Sequence, residues 1–358
     1  ENDKKDGLNA FKDKLKNVLF LEGLGSMFEK SARTQQLADW LCEKLGKNQL
    51  KNTVDYAASH AYADLASHVV YEFPELQGYM GGQYAALEGR QDAAKALEEF
   101  YFPLTSSSPL PSTEEGNIVS LAGKIDTLVG NFLIGQIPTG SEDPFALRRQ
   151  AFGAVRMLLE KDMQISLKEL VEKSDSLYPA GTVDKGLKEL PNFLFQRLAL
   201  VLEQRGHNAA TLNAVSNWYE LPFTQVEALV SALETVKTGA EFAAVLESAK
   251  RVCNILKKAG NVTEAVDEKL FELPAEKALY DKIHEVDSSL GCTVNTAKTK
   301  EEYLNVLKTY GAFKEPLENF FKDVMVNDEN PAVRQNRLAL LARVRRYLTQ
   351  TVADITNL

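Results

Sequence analysis

The sequence predicts an all-α protein with two domains. Apolar residues recur every three to four positions along most of the chain, which is the spacing of a helix with one buried face. We find no alternating strand pattern of any length and no internal repeat. The 358 residues exceed what one ordinary core holds. The segment 176–191 contains two prolines, two glycines and no periodicity, so we place the domains at 1–185 and 186–358.

In the first domain, helical patterns are separated by prolines and glycines. The sequence predicts helices at 28–46, 53–73, 91–102 and 117–135, with a loop rich in proline, serine and threonine at 103–117. The pair Asp143-Pro144 predicts the start of a further helix, with the aspartate as N-cap and the proline at the first helical position.

The predicted second domain consists of longer helical patterns joined by short connections. These patterns predict helices at 191–206, 209–217, 222–235, 239–259, 274–290, 299–310, 313–326 and 330–350.

Composition and short motifs exclude several classes of protein. With 44% hydrophobic and 25% charged residues the composition is that of ordinary globular proteins, and no apolar run is long enough to predict a membrane span. The polar opening residues predict no signal peptide. Three widely separated cysteines, Cys42, Cys253 and Cys292, favour a reduced, cytoplasmic compartment. The signatures GxSxG, HExxH, GxGxxG and the Walker A loop do not occur.

Charge is distributed unevenly along the chain. The net charge of −9 argues against nonspecific nucleic-acid binding. Residues 1–185 hold 20 basic and 27 acidic side chains, whereas residues 186–358 hold 21 and 23. The stretch 330–358 has five arginines against Asp354 alone. We therefore expect contact with an anionic partner to be local and in the second half.

One candidate metal site consists of His60, Asp64 and His68. On the predicted helix 53–73 these residues share one face, and imidazole with carboxylate suits zinc or another transition metal. Eight residues of helix span about 12 Å at 1.5 Å per residue, so one ion cannot contact both ends without a bend. We favour the alternative that these are ordinary polar residues on an alanine-rich helix.

A candidate RNA-binding face lies on the helix predicted at 239–259. At 100° per residue, one stripe is apolar and the opposite side is cationic with an amide at its centre. Such a face suits phosphate contacts and base-edge hydrogen bonds, but on spacing alone we favour the alternative of a simple solvated face. The apolar stripe is Phe242, Val245, Leu246, Ala249, Val252, Cys253 and Leu256. The cationic face is Arg251, Asn254 and Lys258, with Lys250 and Lys257 on its flanks.

The final predicted helix has a second group of arginines. Its core stripe is Leu338, Leu341, Val344 and Leu348. Arg343 and Arg346 point away from this stripe and are candidate contacts to an RNA backbone. Arg337 and Arg345 fall nearer the apolar side, so we expect them to pair with acids or backbone inside the domain.

Four blocks of sequence carry a family resemblance, and they occur in the same order in that family. In chain order they are EFPELQGYMGGQYA, GNIVSLAGKIDTLVGNFLIGQIPTGSEDPFALRRQAFGAVRMLLE, KRVCNILKK and FFKDVMVNDENPAVRQNRLALLARVRRYL. The chain resembles the beta subunit of bacterial-type, alpha2/beta2 glycyl-tRNA synthetase. The resemblance runs from about Leu15 to the last residue and covers only the C-terminal half of that subunit.

This resemblance implies an HD-like helical domain over 1–185 and a DALR-type anticodon-binding bundle, also found in arginyl-tRNA synthetase, over 186–358. It implies an aminoacyl-tRNA synthetase of protein biosynthesis, in which this part binds tRNA(Gly) and is not catalytic by itself. The anticodon would meet the DALR-like bundle, and the acceptor arm would lie nearer the HD-like domain. Glycine activation, with ATP and Mg²⁺, would belong to the partner alpha subunit, leaving no cofactor in this chain.

The resemblance also assigns a degenerate HD pocket. A working HD phosphohydrolase needs a histidine, an adjacent His-Asp pair and a later aspartate around its metals. In this chain Arg33 aligns with the first position, Ala63-Asp64 with the pair and Asp126 with the last. A guanidinium forms charge-assisted bonds to carboxylates, so Arg33 is predicted to contact Asp64, Asp126 or both, with no metal. His60 and His68 then have no ligand role.

In the block DPFALRR, the resemblance leaves two interpretations of Arg148 and Arg149. We favour a structural brace of the HD-like domain over RNA contact. Gly135, Pro138 and Gly140 are predicted to shape the preceding turn.

The sequence leaves three alternative functions open. The leading interpretation is a tRNA-binding part of a two-subunit ligase. The second is a metal-dependent HD phosphohydrolase, which requires an ion at Asp64 and Asp126. The third is a docking scaffold for the alpha subunit that does not bind tRNA, which the acidic first half favours.

Overall fold

The computed structural model describes residues 2–182, 184–290 and 296–358. The predicted all-α class is confirmed, because helices dominate these ranges. The sheet found within them is a two-stranded antiparallel hairpin formed by β1 (Leu19–Leu21) and β2 (Gly25–Ser26). No helix in the described ranges is both long and apolar enough to cross a bilayer.

The chain forms two compact units. The first comprises residues up to Val201 together with Tyr219–Thr224, and the second comprises Leu202–Trp218 and Gln225–Leu358. This division falls inside the helix Leu190–Gln204, whereas the sequence places the boundary ahead of that helix. The division into an HD-like domain at 1–185 and a DALR-like bundle at 186–358 remains a prediction.

The first unit is built around one buried helix. Its helices are α1 (Asn2–Lys14), α2 (Met27–Lys44), α3 (Lys51–His60), α4 (His68–Glu72), α5 (Tyr79–Leu87), α6 (Gln91–Glu98), α7 (Glu114–Leu133), α8 (Leu147–Glu160), α9 (Leu167–Asp175) and α10 (Leu190–Gln204). Every residue of α7 from Gly116 to Leu133 is buried, and α2, α3, α6, α8 and α9 pack against it. Any polar side chain on α7 therefore requires a partner inside the core.

The second unit is organised around the last helix. Its helices are α11 (Phe223–Lys237), α12 (Ala240–Ala259), α13 (Pro274–Leu290), α14 (Lys300–Thr309), α15 (Lys314–Asp323) and α16 (Pro331–Gln350). The α16 helix packs against both α12 and α13, and α15 packs against the same two helices. The predicted apolar stripe of α16 is buried, as is that of α12 apart from the partly exposed Leu246 and Cys253.

The single helix predicted at 53–73 is wrong. The α3 helix ends at His60, a 3₁₀ turn follows at Ala63–Ala66, and α4 starts at His68. Ser67 begins α4 as its N-cap, because its hydroxyl accepts a hydrogen bond from Val70 N at 3.2 Å. The alanine-rich composition concealed this break, since alanine suits a helix at every position.

The helix predicted to begin at Pro144 starts instead at Leu147. Asp143 still caps it, because its carboxylate accepts hydrogen bonds from Leu147 N at 2.7 Å and Arg148 N at 3.0 Å. The intervening Ala146 adopts a left-handed conformation, with φ of 52°. The prediction identified the capping residue but not the turn between it and the helix.

Two further predicted helices are shorter than expected. The helix predicted at 91–102 ends at Glu98, and the segment predicted at 209–217 forms a 3₁₀ helix over Ala209–Ala214. The remaining predicted helices of the second domain agree with the structure to within three residues at each end.

Within the residues that the structure describes, three helices were not predicted. A kink at Gly7 interrupts α1, and the Gly81-Gly82 pair lowers the helix propensity of α5. Gly82 is required by packing, because a Cβ there would lie 2.6 Å from Ala94 O on α6. The α9 helix begins with a capping box between Ser166 and Glu169, a sequence pattern that would have identified it.

Candidate functional site

A buried ionic cluster lies between α2 and α7. Arg33 Nε donates to Asp126 Oδ1 at 2.8 Å, and Lys30 Nζ donates to Asp126 Oδ2 at 2.7 Å. All three side chains are at least nine-tenths buried. Lys30 and Arg33 stand three residues apart on α2, so they project from the same face. The sequence predicts pairing of Arg33 with Asp64, Asp126 or both, and the structure shows the pair with Asp126.

Aromatic side chains surround this cluster. The Arg33 guanidinium lies 4.2 Å from the centre of the Tyr178 ring, and Lys30 Nζ lies 4.4 Å from that of Phe20. The Tyr178 hydroxyl donates to the backbone oxygen of Asp126 at 2.7 Å. These contacts fix the two cations in an apolar setting where cation–π attraction is strongest.

The environment keeps Asp126 ionised. Burial alone would raise the pKa of Asp126, but Lys30 and Arg33 together hold it below its ordinary value. Both carboxylate oxygens are already bonded to cations, so this side chain is not available as a metal ligand. Lys30 was not among the predicted site residues. The sequence feature that could have identified it is its position about one helical turn before Arg33.

Asp64 has a different environment. Its Oδ2 accepts hydrogen bonds from Gly78 N at 2.6 Å and Gly81 N at 3.1 Å, while its buried Oδ1 has no hydrogen-bond partner among the described residues. Burial outweighs these bonds and raises the pKa of Asp64 to about 6. Asp64 therefore fastens the start of α5 to the core and does not share the ionic cluster.

The histidine row does not form one face, because His60 ends α3 and His68 begins α4. The His60 ring lies 2.9 Å from Tyr56 O through Nδ1 and 3.0 Å from Asn9 Oδ1 through Nε2. Burial lowers the pKa of His60. In the described ranges, no group of three or more histidine, cysteine or acidic side chains is arranged to hold a metal ion.

Of the cysteines, Cys42 is buried and Cys253 is half-buried, and both are free thiols. Burial raises the pKa of the Cys42 thiol to about 11, so it is not a ready nucleophile. Cys292 lies outside the described residues.

The cationic face predicted on α12 is exposed in the structure. The residues that the sequence assigns to this face and its flanks are all solvent-exposed: Lys250, Arg251, Asn254, Lys257 and Lys258. Within the described ranges, none of the four cations forms an ion pair with an acid of the chain. These charges are therefore available to an external anion.

Arg251 is held in a defined position on this face. Its guanidinium lies 4.1 Å from the centre of the Phe321 ring on α15. The pair lines a groove of about 320 Å³ between α12 and α15, whose other lining residues are Ala244, Glu247, Ser248, Glu318 and Lys322. An arginine stacked on a partly exposed aromatic ring is a surface on which an unstacked base can lie. Phe321 was not among the predicted site residues.

The arginines predicted to point outward from α16 are partly engaged by acids. Arg346 Nη1 lies 3.1 Å from Glu264 Oε2, and both Arg343 and Arg346 lie 3.7 Å from the Asp287 carboxylate on α13. The Arg343 side chain is only 18% exposed, against 42% for Arg346. Arg343 and Arg346 contact α13, whereas Arg251 contacts α15. Within the described ranges, the α16 arginines and the α12 face therefore share no contact residue.

Arg337 is internal, as predicted. It pairs with Glu276 at 2.8 Å, Asp328 at 2.6 Å and Glu272 at 3.0 Å. The corresponding prediction for Arg345 is not met at Nε, which is buried without a hydrogen-bond partner in the described ranges.

Arg148 braces the turn before α8, as the favoured interpretation predicts. Its guanidinium donates to Gly140 O at 2.8 Å and to Glu142 O at 3.4 Å. Gly135 and Gly140, which shape this turn, both have positive φ angles. Arg149 is exposed, and its Nη1 donates a long hydrogen bond of 3.4 Å to Leu104 O.

Comparison with known proteins identifies the family. The family model described as glycyl-tRNA synthetase beta subunit matches residues 1–217, which is more than half of the chain. The chain belongs to the glycyl-tRNA synthetase beta subunit family. A second model, described as DALR anticodon binding domain, matches residues 245–355. The α12 face and the α16 arginines lie within this second match.

Curated relatives agree with this family assignment. The glycine–tRNA ligase beta subunit of Thiobacillus denitrificans is 39% identical over 360 residues, covering 100% of the chain and 51% of the relative. That of Pseudomonas syringae pv. tomato is 39% identical over 362 residues, covering 99% and 52%, and that of Nitrosomonas europaea is 36% identical over 374 residues, covering 100% and 52%. The chain therefore spans about half the length of these members of the glycyl-tRNA synthetase beta subunit family.

Proposed function

We propose that this chain is the tRNA-binding portion of a glycine–tRNA ligase beta subunit, which orients tRNA(Gly) for aminoacylation by the alpha subunit. The observation that carries the proposal is the exposed, unpaired cationic face of α12 inside the region matched by the anticodon-binding model. The chain itself holds no amino-acid activating chemistry in this proposal. ATP and Mg²⁺ act at the alpha subunit, and this chain positions the tRNA.

The side chains of the α12 face have distinct roles. Lys250 and Lys258 neutralise backbone phosphates, because ammonium groups are mobile point charges. Asn254, between them on the exposed side, presents an amide that can pair with a base edge. The Arg251–Phe321 stack provides a flat platform for an unstacked base of the anticodon loop.

Arg343 and Arg346 act as secondary phosphate contacts. Both lie 3.7 Å from the Asp287 carboxylate, which is beyond hydrogen-bond distance, and the exposed pair of Arg346 with Glu264 at 3.1 Å contributes little energy. An approaching phosphate therefore replaces Asp287 as their partner at small cost. The first unit is proposed to lie nearer the acceptor arm and the alpha subunit.

The alternative function as an HD-type phosphohydrolase is not favoured by the site. That chemistry requires Asp126 as a metal ligand, and Lys30 and Arg33 occupy both of its oxygens. A docking role without tRNA binding assigns no ligand to the exposed cations of α12, which lie in the region matched by the anticodon-binding model.

A binding titration tests the proposal. Fluorescence anisotropy with labelled tRNA(Gly) measures the affinity of the wild type, Arg251→Ala and Lys308→Ala, the last being an exposed lysine on α14 that serves as the charge-matched control. We expect Arg251→Ala to weaken binding about tenfold through the lost stack and phosphate contact, with the control unchanged. Equal affinities of the three proteins would reject the α12 face as the RNA contact.

A further inference from the structure

A small polar cavity lies beside the Asp126 cluster, in the first unit. Its volume is about 110 Å³, and it is bounded by α7, α8 and the segment Phe100–Leu104. A water molecule occupies roughly 30 Å³ in the liquid, so the cavity has room for an ion or a small group of several heavy atoms. Two cations, Lys124 and Arg149, line it, and its lining includes no aspartate or glutamate.

Lys124 is an exception among the buried cations. Lys30, Arg33 and Arg337 are buried, and each is bonded to a carboxylate. Lys124 is 6% exposed, yet in the part of the chain that the structure describes no acid lies within ion-pair distance of it. Its ammonium contacts Ser120 Oγ at 3.0 Å and Tyr101 O at 3.5 Å, which engages at most two of its three donors.

A buried charge without a counter-ion is unfavourable, so this arrangement needs an explanation. Burial, with a smaller repulsion from Arg149, lowers the pKa of Lys124 to about 7. The chain has more acidic than basic residues, yet no acid lines this cavity. The missing negative charge is therefore expected to come from outside the chain.

Uncharged donors also converge on the cavity. Tyr101 belongs to the lining, and its backbone oxygen is the atom that accepts from Lys124 Nζ at 3.5 Å. The side-chain amides of Gln77 and Gln150 belong to the lining, whereas the lining hydroxyls of Ser120 and Thr127 already donate to backbone oxygens. Two cations with two side-chain amides suit an anion that accepts hydrogen bonds in more than one plane.

We propose that this cavity binds a phosphate group, with Lys124 and Arg149 as its counter-charges and the side-chain amides of Gln77 and Gln150 as additional donors. A tetrahedral oxyanion uses donors from several directions, whereas a planar carboxylate presents two oxygens in one plane. The entrance lies at Arg149, the exposed member of the pair, and Lys124 holds the anion at the inner end. This inference does not rest on the proposed tRNA contacts of the second unit.

Calorimetric titration with inorganic phosphate, at constant ionic strength and pH 7, tests the site. We expect saturable binding of one phosphate per wild-type chain. Lys124→Met should abolish this binding, and Arg149→Gln should weaken it at least tenfold. Lys161→Gln removes one exposed charge from the same unit outside the cavity, and its affinity should equal that of the wild type.

Arg149→Gln keeps the test decisive if Lys124→Met does not fold, because Arg149 is exposed and its loss does not disturb the core. The proposal is overturned if the wild type shows no saturable heat, or if Arg149→Gln binds phosphate as tightly as Lys161→Gln does. Equal binding of acetate and phosphate would also overturn it, because the site would then take any small anion.

A second titration, in the presence of saturating tRNA(Gly), identifies the source of the phosphate group. Loss of the phosphate heat means that a phosphate of the RNA occupies the cavity. Retention of the heat means that the ligand is a free phosphate compound. Both outcomes support the site. Neither depends on Arg251, so failure of this site and failure of the α12 interface are distinguishable.

Discussion

Two buried carboxylates of the first unit show how neighbouring residues decide the role of one chemical group. Asp126 has two cations within 2.8 Å and stays ionised, whereas Asp64 has only backbone N–H partners and a raised pKa. The family alignment placed both in one degenerate metal pocket. Only Asp126 is paired with the arginine that replaces the histidine.

Replacing Asp126 tests whether the cluster stabilises the fold. Asp126→Asn leaves Lys30 and Arg33 buried without an anion, and we expect it to lower the free energy of unfolding by about 3–5 kcal/mol at pH 7. Because the folded pKa of Asp126 is lowered, this stabilisation is present above its unfolded pKa and is lost as the pH falls through the folded value. Urea unfolding measures the effect. Asp6→Asn, which removes an exposed pair with Lys14, is the control and should cost less than about 1 kcal/mol.

Asp64 should give the opposite dependence on pH. Its pKa of about 6 in the folded chain exceeds the ordinary unfolded value, so its contribution to stability is present at low pH and is lost as the pH rises through 6. Asp64→Asn keeps an acceptor for Gly78 N and Gly81 N without the charge. Between pH 5 and pH 8 the wild type should lose roughly 1.5 kcal/mol of unfolding free energy relative to this variant. A constant difference across this range would contradict the raised pKa.

At the scale of elements, the sequence predicts helices well where one apolar stripe is long and regular. The α12 and α16 helices are such cases, and their buried and exposed faces follow from the 3.6-residue period. Prediction fails where the determining contact is distant in sequence. The break between α3 and α4 accompanies the bonds from Gly78 and Gly81 to Asp64, and the tight packing at Gly82 depends on α6.

The same distinction applies to the site. The exposed cations of α12 could be predicted from local periodicity, and Arg33 from an alignment. Lys30, Phe321 and the cavity at Lys124 depend on contacts between helices far apart in sequence, so no local pattern identifies them.

The start of α8 gives a prediction about an element. Asp143→Ala removes the acceptor of Leu147 N and Arg148 N, and we expect a loss of about 0.5–2 kcal/mol in unfolding free energy. Asp143→Asn retains one of the two accepting oxygens and should cost less than Asp143→Ala. If denaturant titration finds equal losses in the two variants, the cap is not what stabilises the start of α8.

The face formed by α12 and α15 gives a prediction about RNA binding that separates stacking from charge. Lys258→Gln should reduce the slope of log affinity against log salt by about one, because one phosphate contact is lost. Phe321→Ala should weaken tRNA binding by roughly 1–3 kcal/mol at every salt concentration and leave the slope unchanged. Anisotropy titrations over a salt series measure both. A change of slope in Phe321→Ala would show that the ring does not act by stacking.

For the whole molecule, the positions of the charges are more informative than the net charge. The chain has a net charge of −9, yet the region matched by the anticodon-binding model presents unpaired cations on one helix face. In the first unit, buried cations instead pair with Asp126 or face an acid-free cavity. The two units thus offer different anion-binding surfaces, one exposed and suited to RNA and one enclosed and suited to a single phosphate group.

The most direct test of the account is the affinity of the chain for tRNA(Gly) compared with tRNA(Gly) carrying a substituted anticodon, in the wild type and in Arg251→Ala. We predict that the wild type binds tRNA(Gly) more tightly than the substituted tRNA, and that Arg251→Ala reduces both the affinity and this difference. If the wild type binds the two RNAs equally, or if the Arg251→Ala variant retains the full difference, the α12 face is not the anticodon contact.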